Sequence, residues 1–398
     1  MRHLEKIVHP NAIEAIITAD SDWALKPTKV AWNPGPEHRP EVSDFTMSMG
    51  IERTPKGRLW ISWFGGDDSR DAYILLAKSD DDGKTWSDPL FIIDPEPSPA
   101  GLRQRALVGN LWTDPAGRLW IFFDKGLRFF DGRAGVWAAV CDNPDADRPA
   151  WSTPTRIWHG STLNKPTVLS NGEWLLSISL WQRDYMRADF SGGDRLYREL
   201  DPFRMANIFV SKDQGKSWER RGGVHAPFRQ FDEQMIVERG DGSLLMYIRT
   251  DYGIAETKSF DRGRSWTAPE KSRLEHVSAR IFVRRLASGR LLLVKHGELY
   301  VKPASRSHLT AYLSDDDGQT WQGGLLLDER EGVSYPDGIQ APDGTVYIAY
   351  DRKRFEGEIL LTTFTEADIL AGTAMSGNVR LKIPVKQTAA ALREAENT

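Results

Sequence analysis

Six short hydrophobic runs, each preceded by a turn containing glycine, are distributed along the chain. The runs have the length of β-strands, and the segments between them are rich in Gly, Asp and Ser, as expected for strands joined by tight turns. Consecutive turn glycines are 47 to 70 residues apart. The six segments read KGRLWISWF, AGRLWIFFD, NGEWLLSIS, DGSLLMYIR, SGRLLLVKH and DGTVYIAYD, with turn glycines Gly57, Gly117, Gly172, Gly242, Gly289 and Gly344.

A second repeated element occupies the same period. The octapeptides SDDDGKTW (79–86) and SDDDGQTW (314–321) are nearly identical, and SKDQGKSW (211–218) and SFDRGRSW (259–266) share their pattern, S-x-D-x-G-x-[ST]-W. Each repeat is predicted to contain four strands and both turns. Six such units predict an all-β fold, a six-bladed β-propeller with four-stranded blades, because a ring of blades protects the strand edges.

The acidic octapeptide itself has three interpretations: a calcium loop, a cluster of catalytic acids, or a turn. A calcium loop of the D-x-[DN]-x-[DN]-G-x₅-E type that uses Gly83 as its glycine places Lys78 at the first ligand position and Pro89 at the last, and neither residue suits the role. Asp accepts hydrogen bonds from nearby backbone N–H groups, and Gly tolerates a positive φ. The octapeptide is therefore predicted to be a turn, and no metal site is predicted.

The repeats predict a single domain over residues 1–398. Residues 1–40 precede the first unit, and the stretch WALKPTKVAW (23–32) is predicted to add an outer strand to the last blade and so close the ring. Residues 386–398 are predicted to form a tail with helical character.

Composition excludes several classes of partner. With 52 basic and 56 acidic residues the net charge is −4, so neither nucleic acid nor an anionic membrane is expected as a partner. No apolar stretch has the length of a membrane span, and no signal peptide is recognised, which predicts a cytoplasmic protein unless a signal has been removed, in which case it is secreted or periplasmic. Cys141 is the single cysteine, and the 15 Trp suit a β-rich protein that handles sugar rings.

The four octapeptides on a six-unit β pattern resemble the Asp-boxes of the sialidase superfamily, over roughly residues 44–369. The resemblance implies an active site at the mouth of the central channel, at the end opposite the Asp-box turns. In that superfamily three arginines hold the substrate carboxylate, a Tyr activated by a Glu is the nucleophile, and an Asp is the acid/base. A neutral Tyr is not repelled by an anionic substrate, as a carboxylate nucleophile is.

The resemblance assigns a role to five residues. In FDEQMIVERGDGSLLMYIRT, Glu233 precedes Arg249 by the 16 residues that separate the activating Glu from a triad arginine. The segment SRSHLTAYLSDDDGQTW places Arg306 at another triad position. GVSYPDGIQAPDG points to Tyr335 as the nucleophile, and SRDAYILLAKSDDDG to Asp71 as the acid/base.

The first blade departs from the family pattern. Where the family carries an R-I-P-like motif with the first triad arginine, this chain reads SDFTMSMGIERTPKG, with Met47 or a neighbour at that position. Losing that arginine removes a bidentate contact to a carboxylate.

Further polar residues are expected around the channel. Asn110, Asn164 and Arg280 lie seven to nine residues before their turn glycines, at inner-strand positions that suit hydrogen bonds to sugar hydroxyls. His159 is a candidate acid/base or binding residue because His titrates near neutrality. The long third repeat carries the insertion QRDYMRADFSGGDRLYRELDPF (182–203), predicted to be a loop over the mouth.

Three functions remain open on these grounds. The first is an exo-glycoside hydrolase of the sialidase type acting on the end of an acidic glycan, without a cofactor. The second is a polysaccharide lyase on a uronate-containing glycan, using His159, Tyr335 and Arg280. The third is a carbohydrate-binding propeller without catalysis, since the fold alone does not imply activity. All three have a carbohydrate partner, and the sequence predicts no oligomeric state.

Overall fold

The structure, a computed structural model, describes residues 22–39, 45–68, 71–127, 132–185 and 196–396. In this part of the chain 25 β-strands form six antiparallel sheets, five of four strands and one of five. The sheets follow one another in chain order as the blades of a six-bladed β-propeller. The predicted all-β propeller is confirmed.

Each blade is a meander of four consecutive strands, and blade 1 carries one further strand at its outer edge. Blade 1 has β1 (Ala31–Trp32), β2 (Met47–Arg53), β3 (Leu59–Gly65), β4 (Tyr73–Ser79) and β5 (Phe91–Ile93). Blade 2 has β6 (Gln104–Thr113), β7 (Leu119–Leu127), β8 (Gly135–Cys141) and β9 (Thr155–Trp158). Blade 3 has β10 (Thr167–Val168), β11 (Trp174–Ser179), β12 (Ala206–Ser211) and β13 (Glu219–Val224).

The other half of the ring repeats this plan. Blade 4 has β14 (Arg229–Glu238), β15 (Leu244–Thr250), β16 (Gly253–Ser259) and β17 (Glu270–Lys271). Blade 5 has β18 (Phe282–Arg285), β19 (Leu291–His296), β20 (Leu309–Ser314) and β21 (Gln322–Asp328). Blade 6 has β22 (Val333–Gln340), β23 (Val346–Arg352), β24 (Glu358–Phe364) and β25 (Arg380–Gln387).

The helical content is small. Helices α1 (Glu366–Ala371) and α2 (Ala389–Glu396) follow β24 and β25, and single 3-10 turns cover Trp23–Leu25, Pro36–His38, Arg183–Tyr185 and Arg198–Phe203. Among the described residues no helix is both long and apolar enough to cross a membrane.

The middle strands are apolar runs because they are covered on both faces. Every residue of β3 and of β15 is buried, since each blade packs between two neighbours. The alternation of apolar and polar residues that marks a half-exposed strand is therefore lost in these strands. Continuous runs such as LWISWF and LLMYI are the sequence signature of this packing.

The Asp-box octapeptides form the outer turns of four blades. In the first, Oδ1 of Asp81 accepts hydrogen bonds from the N–H groups of Lys84 (3.1 Å) and Thr85 (2.9 Å), and the Thr85 hydroxyl donates to Oδ2 (2.7 Å). The hydroxyl of Ser79 accepts from the N–H of Gly83 (2.9 Å), whose φ is 77°. Closely similar bonds surround Asp213, Asp261 and Asp316. These carboxylates are occupied in holding the turns.

Two boundary predictions are corrected. Strand β1 pairs with β5, the outer strand of blade 1, so residues 31–32 do not join the last blade, whose four strands all come from residues 333–387. Residues 1–21 and 40 of the predicted N-terminal segment lie outside the described residues. The predicted tail begins too early, because Lys386 and Gln387 belong to β25 and the helix starts only at Ala389.

The ring closes between the first and last blades. The N–H of Ile51 on β2 donates to Oδ2 of Asp337 on β22 (2.9 Å), and the N–H of Thr46 donates to the carbonyl of Arg354 (2.9 Å). These bonds connect segments about 300 residues apart in sequence, which is why local patterns do not predict them.

Candidate active site

A cavity of about 270 Å³ lies at one end of the channel. Glu233 and Arg249 line it, at the end of blade 4 where Asp232 pairs with Arg249. At the other end of the blade Leu244 pairs with Ser259, the first residue of an Asp-box. The cavity therefore opens on the side opposite the Asp-box turns.

The cavity is lined by both apolar and charged side chains. The apolar lining residues are Met47, Met49, Phe64, Leu107, Val108, Leu163, Trp181 and Phe231. The charged and polar lining residues are Asp68, Asp124, Glu233, Arg249, Arg306, Tyr335 and Arg354. Such a site suits a ligand that has both an anionic group and an apolar substituent.

Tyr335, Glu233 and Arg249 form one connected group. The Tyr335 hydroxyl donates to Oε1 of Glu233 (2.6 Å), and the same oxygen accepts from Nη1 of Arg249 (2.8 Å). Burial raises the pKa of Tyr335 well above its ordinary value, and the negative charge of Glu233 raises it further. Burial alone disfavours the charge on Arg249, but Glu233 and Tyr335 together outweigh it and the pKa of Arg249 is raised. The phenol is thus neutral at rest and is hydrogen-bonded to a buried base.

Both members of the phenol–carboxylate pair have unusual backbones. The φ angles of Glu233 (37°) and Tyr335 (52°) lie in the left-handed region, which costs a non-glycine residue on the order of 1–3 kcal/mol. Both residues sit where the strand register shifts, between Asp232 and Met235 on β14 and between Ser334 and Asp337 on β22. The bulges turn the two side chains into the cavity instead of along the sheet.

Arg306 also reaches the cavity, from the segment before β20. Its Nη1 donates to Oγ of Ser334 (2.9 Å) and its Nη2 to the carbonyl of Ser278 (3.0 Å). Burial and the nearby charge of Arg249 lower the pKa of Arg306. Its surroundings therefore favour binding of an anion.

A third arginine at the cavity was not identified from the sequence. Arg354 follows β23, and its guanidinium lies over the ring of Tyr335, 4.5 Å from the centroid. It pairs with Asp351 (Nε to Oδ1, 3.1 Å) and approaches Asp68 (Nη1 to Oδ2, 3.7 Å). The only sequence signal is the basic run RKR directly after an apolar strand.

The residue predicted as the acid/base, Asp71, lies outside the cavity lining. It is exposed, and its N–H donates to Oδ1 of Asp67 (3.0 Å). Asp68, three residues earlier in the same loop, does line it. Asp68 still has 49% of its side chain exposed; partial desolvation by the surrounding protein raises its pKa, and Arg354 opposes that shift. The candidate acid on this loop is therefore Asp68.

The predicted inner-strand residues Asn164 and Arg280 lie below the cavity. The side-chain amide of Asn164 donates to the carbonyls of Glu233 (3.0 Å) and Gln234 (2.9 Å), and its oxygen accepts from Nε of Arg280 (2.9 Å). Arg280 also pairs with Asp337 (3.2 Å). The two side chains do not line the cavity and instead support the backbone that carries Glu233.

Asn110 and His159 are likewise outside the cavity lining. Asn110 is fully buried on β6. Nδ1 of His159 lies 2.9 Å from Nη2 of Arg156 and 3.1 Å from the carbonyl of Arg133. Burial and the charge of Arg156 lower the pKa of His159, so the ring is held neutral.

The insertion predicted to cover the mouth is described in part, and residues 186–195 lie outside the described residues. Trp181, directly before it, lines the cavity, and its indole N–H donates to the carbonyl of Phe231 (3.0 Å). Gln182 donates to the carbonyl of Arg229 (3.3 Å). The start of the insertion is therefore attached to the blade that carries Glu233.

Comparison with known proteins identifies relatives of this arrangement. The family model of the BNR repeat-like domain matches residues 57–348. A sialidase of Bacteroides fragilis (strain YCH46) is 24% identical over 322 residues, which are 78% of this chain and 44% of that protein. The chain thus spans less than half the length of this relative.

Solved structures share the fold at low identity. The Hadza microbial sialidase Hz136 superposes with a TM-score of 0.63 at 18% identity, over 86% of this chain and 69% of that one. The leech intramolecular trans-sialidase superposes with a TM-score of 0.60 at 13% identity, over 87% and 71%. A protein of unknown function from Dyadobacter fermentans superposes with a TM-score of 0.59 at 15% identity, over 85% and 96%.

Proposed function

Since this chain belongs to the BNR repeat-like domain family, within the sialidase superfamily, we propose that it is an exo-glycoside hydrolase of the sialidase type that acts on a terminal acidic sugar. The observation that carries the proposal is the Tyr335 hydroxyl bound to a buried Glu233, which is itself held by Arg249. A packing tyrosine needs neither a buried carboxylate nor a left-handed backbone.

Tyr335 is the proposed nucleophile. As its oxygen attacks the anomeric carbon, its proton passes to Oε1 of Glu233, so no free phenolate has to form in a site that raises the pKa of the phenol. Arg249 keeps Glu233 oriented and balances its charge. The product of this step is a glycosyl–tyrosine intermediate.

Asp68 is the proposed acid/base. It donates a proton to the glycosidic oxygen as the aglycone leaves, and its raised pKa favours the protonated form needed for that step. Asp68 then takes a proton from water as the water attacks the anomeric carbon. The bond to Tyr335 breaks, and the phenol recovers its proton from Glu233. Two displacements give net retention of configuration.

The position of the cations suggests which acidic sugar is bound. Arg249 shares an oxygen of Glu233 with the nucleophile, and Arg354 stacks on the ring of Tyr335. A carboxylate on these arginines lies next to the carbon that Tyr335 attacks. This fits a 2-ulosonic acid, whose carboxylate is attached to the anomeric carbon, better than a uronic acid, whose carboxylate is on the far side of the ring.

The two other functions have less support. The lyase hypothesis used His159 and Arg280 with Tyr335, and of these only Tyr335 lines the cavity. The hypothesis of a binding module does not explain the neutral phenol on a buried carboxylate. Turnover measurements separate all three functions.

The test uses 4-methylumbelliferyl glycosides of N-acetylneuraminic acid and of 3-deoxy-D-manno-oct-2-ulosonic acid, beside a 4-linked oligouronide that carries the leaving group that elimination needs. We expect wild-type protein to cleave an ulosonide with retention, as seen by NMR of the first-formed sugar. Tyr335→Phe should lose at least about 10³-fold in kcat, since nucleophile and proton are both removed. Tyr347→Phe is the matched control, because that hydroxyl contacts Asp82 in an Asp-box turn (3.2 Å).

Two results contradict the proposal. If Tyr335→Phe keeps full activity, Tyr335 is not the nucleophile. An unsaturated product that absorbs near 230 nm, roughly the band of a conjugated uronate, identifies elimination instead of hydrolysis.

A further inference from the structure

Two serines connect the three guanidinium groups of the cavity. Ser278 accepts from Nε of Arg249 on its hydroxyl (3.3 Å) and from Nη2 of Arg306 on its carbonyl (3.0 Å). The hydroxyl of Ser334 accepts from Nη1 of Arg306 (2.9 Å) and from Nη2 of Arg354 (3.2 Å). Each serine thus brings two like charges together.

The charges in this row are unequally balanced. Arg249 is paired with Glu233, and Arg354 with Asp351. Arg306, in the middle, makes no ion pair with any residue in the described part of the chain, and its two recorded hydrogen bonds go to neutral oxygens. Adjacent cations repel each other unless an anion lies between them. The row is therefore suited to a carboxylate that contacts Arg306 and its neighbours.

We propose that Arg354 is a substrate-binding residue and completes a three-arginine carboxylate site from the sixth blade, in place of the arginine that the first blade lacks. This inference rests on the function proposed above, because it names a residue of that same site. It assigns to Arg354 a role that the sequence pattern of the first blade does not predict.

The ring closure explains how the sixth blade reaches this position. Met47, the residue at the expected arginine position, lies in the cavity wall with 3% of its surface exposed. The residue before it, Thr46, donates its N–H to the carbonyl of Arg354 (2.9 Å). The turn after β23 is therefore attached to blade 1 beside Met47, and Arg354 extends from that turn into the cavity.

The alternative role for Arg354 is purely structural, as the partner that neutralises buried Asp351. Arg354→Gln alone does not separate the two roles, because it leaves a buried carboxylate without its partner and threatens folding. The double variant Asp351→Asn/Arg354→Gln removes both charges and avoids this problem. A structural Arg354 predicts that the double variant binds substrate normally.

The experiment measures binding of free N-acetylneuraminic acid and free 3-deoxy-D-manno-oct-2-ulosonic acid by calorimetry, each beside its methyl ester. The proteins are wild type, Arg354→Gln, Arg354→Lys, the double variant, and Arg352→Gln as the matched control. Arg352 ends the same strand, lies 3.4 Å from Glu358 and is outside the cavity lining. Thermal unfolding checks that each variant is folded.

We expect the double variant to bind the preferred acid about 10- to 100-fold more weakly than wild type, the typical effect of losing a charged hydrogen-bonding partner. Affinity for the ester should change by less than about threefold, because the ester has no charge to lose. Arg354→Lys should bind the acid with intermediate affinity, since an ammonium keeps the positive charge but cannot form the bidentate hydrogen bonds of a guanidinium.

Other outcomes overturn the inference. If the double variant binds the acid with wild-type affinity, or loses equal affinity for acid and ester, Arg354 is a structural residue. The proposed hydrolase still stands in that case if activity depends on Tyr335. If wild-type protein neither binds nor cleaves either ulosonic acid, the proposed function fails and this inference fails with it.

Discussion

The hydroxyl of Tyr335 lies 2.6 Å from Oε1 of Glu233, although the two residues are 102 positions apart and belong to blades 6 and 4. Both adopt a left-handed backbone at a strand bulge. Backbone strain at two residues that contact each other persists only when the surrounding structure holds both residues in place. Asn164, which binds the carbonyls of Glu233 and Gln234, is part of what holds the strained segment.

The first prediction concerns the base. Glu233→Gln keeps the shape of the side chain but cannot accept the phenol proton, so we expect kcat to fall about 10²- to 10⁴-fold, the usual contribution of a general base. Binding of the free sugar acid should persist. Arg249 loses its carboxylate partner, and its guanidinium therefore stays available to the carboxylate of the sugar. Steady-state kinetics and calorimetry measure the two effects.

Glu238→Gln is the matched control for the base. Glu238 lies on the same strand and binds Ser170, at the far end of the blade from Arg249. Near-normal kcat in Glu233→Gln, or an equal loss in both variants, contradicts the role assigned to Glu233.

The second prediction distinguishes Asp68 from Asp71. Asp68→Asn should slow cleavage of alkyl glycosides by about 10²- to 10⁴-fold, since a poor leaving group needs the proton. Aryl glycosides with acidic leaving groups should be affected much less. Asp71→Asn should leave both rates within about threefold of wild type, because Asp71 is outside the cavity lining that includes Asp68. If cleavage of alkyl glycosides is slowed strongly in Asp71→Asn and not in Asp68→Asn, Asp71 is the acid.

The fold could be predicted from sequence because its signals are local and repeated. Glycine turns before apolar runs define the blades, and each Asp-box turn is closed by bonds within five residues, such as those of Asp81 with Lys84 and Thr85. Repetition compensates for the weakness of each separate signal. The family resemblance then places Glu233, Arg249, Arg306 and Tyr335, all of which line one cavity.

The remaining site residues depend on non-local contacts. Asp68 and Asp71 lie in one loop, and spacing does not determine which carboxylate faces the channel. Arg354 reaches the cavity only because its turn binds Thr46 of the first blade. Inner-strand spacing predicts that Asn164 and Arg280 face the channel axis but not their depth, and both lie below the cavity as support.

The third prediction concerns pH and the pair Asp351–Arg354. Burial raises the pKa of Asp351 to about 6, against the effect of Arg354. As pH falls through 6, Asp351 takes up a proton and Arg354 loses its negative partner. A bound sugar carboxylate remains ionised in this range. We therefore expect affinity for the acid to rise between pH 7 and pH 5, as measured by calorimetry.

Asp351→Asn provides the control for this pH effect. The variant should bind the acid at pH 7 as tightly as wild type binds it at pH 5, and its affinity should not change over that range. A pH dependence that persists in Asp351→Asn assigns the titration to another group.

The last prediction concerns the Asp-box turns. Hydrogen bonds from the backbone and hydroxyl of Thr85 lower the pKa of Asp81 to about 2. A carboxylate whose pKa is lower in the folded than in the unfolded state stabilises the fold above its unfolded pKa of about 3.9, and this stability is lost as pH falls through the folded value. Asp81→Asn should therefore lower the free energy of unfolding by roughly 1 kcal/mol at pH 7, with a difference from wild type that shrinks below about pH 4 and disappears only below about pH 2, the folded pKa. Urea unfolding across this range measures the effect, with Asp82→Asn in the same turn as control.

Catalysis at pH 7 should be unchanged in Asp81→Asn, since the turn lies at the opposite end of the blades from the cavity. A large loss of kcat in the folded variant contradicts a purely structural role.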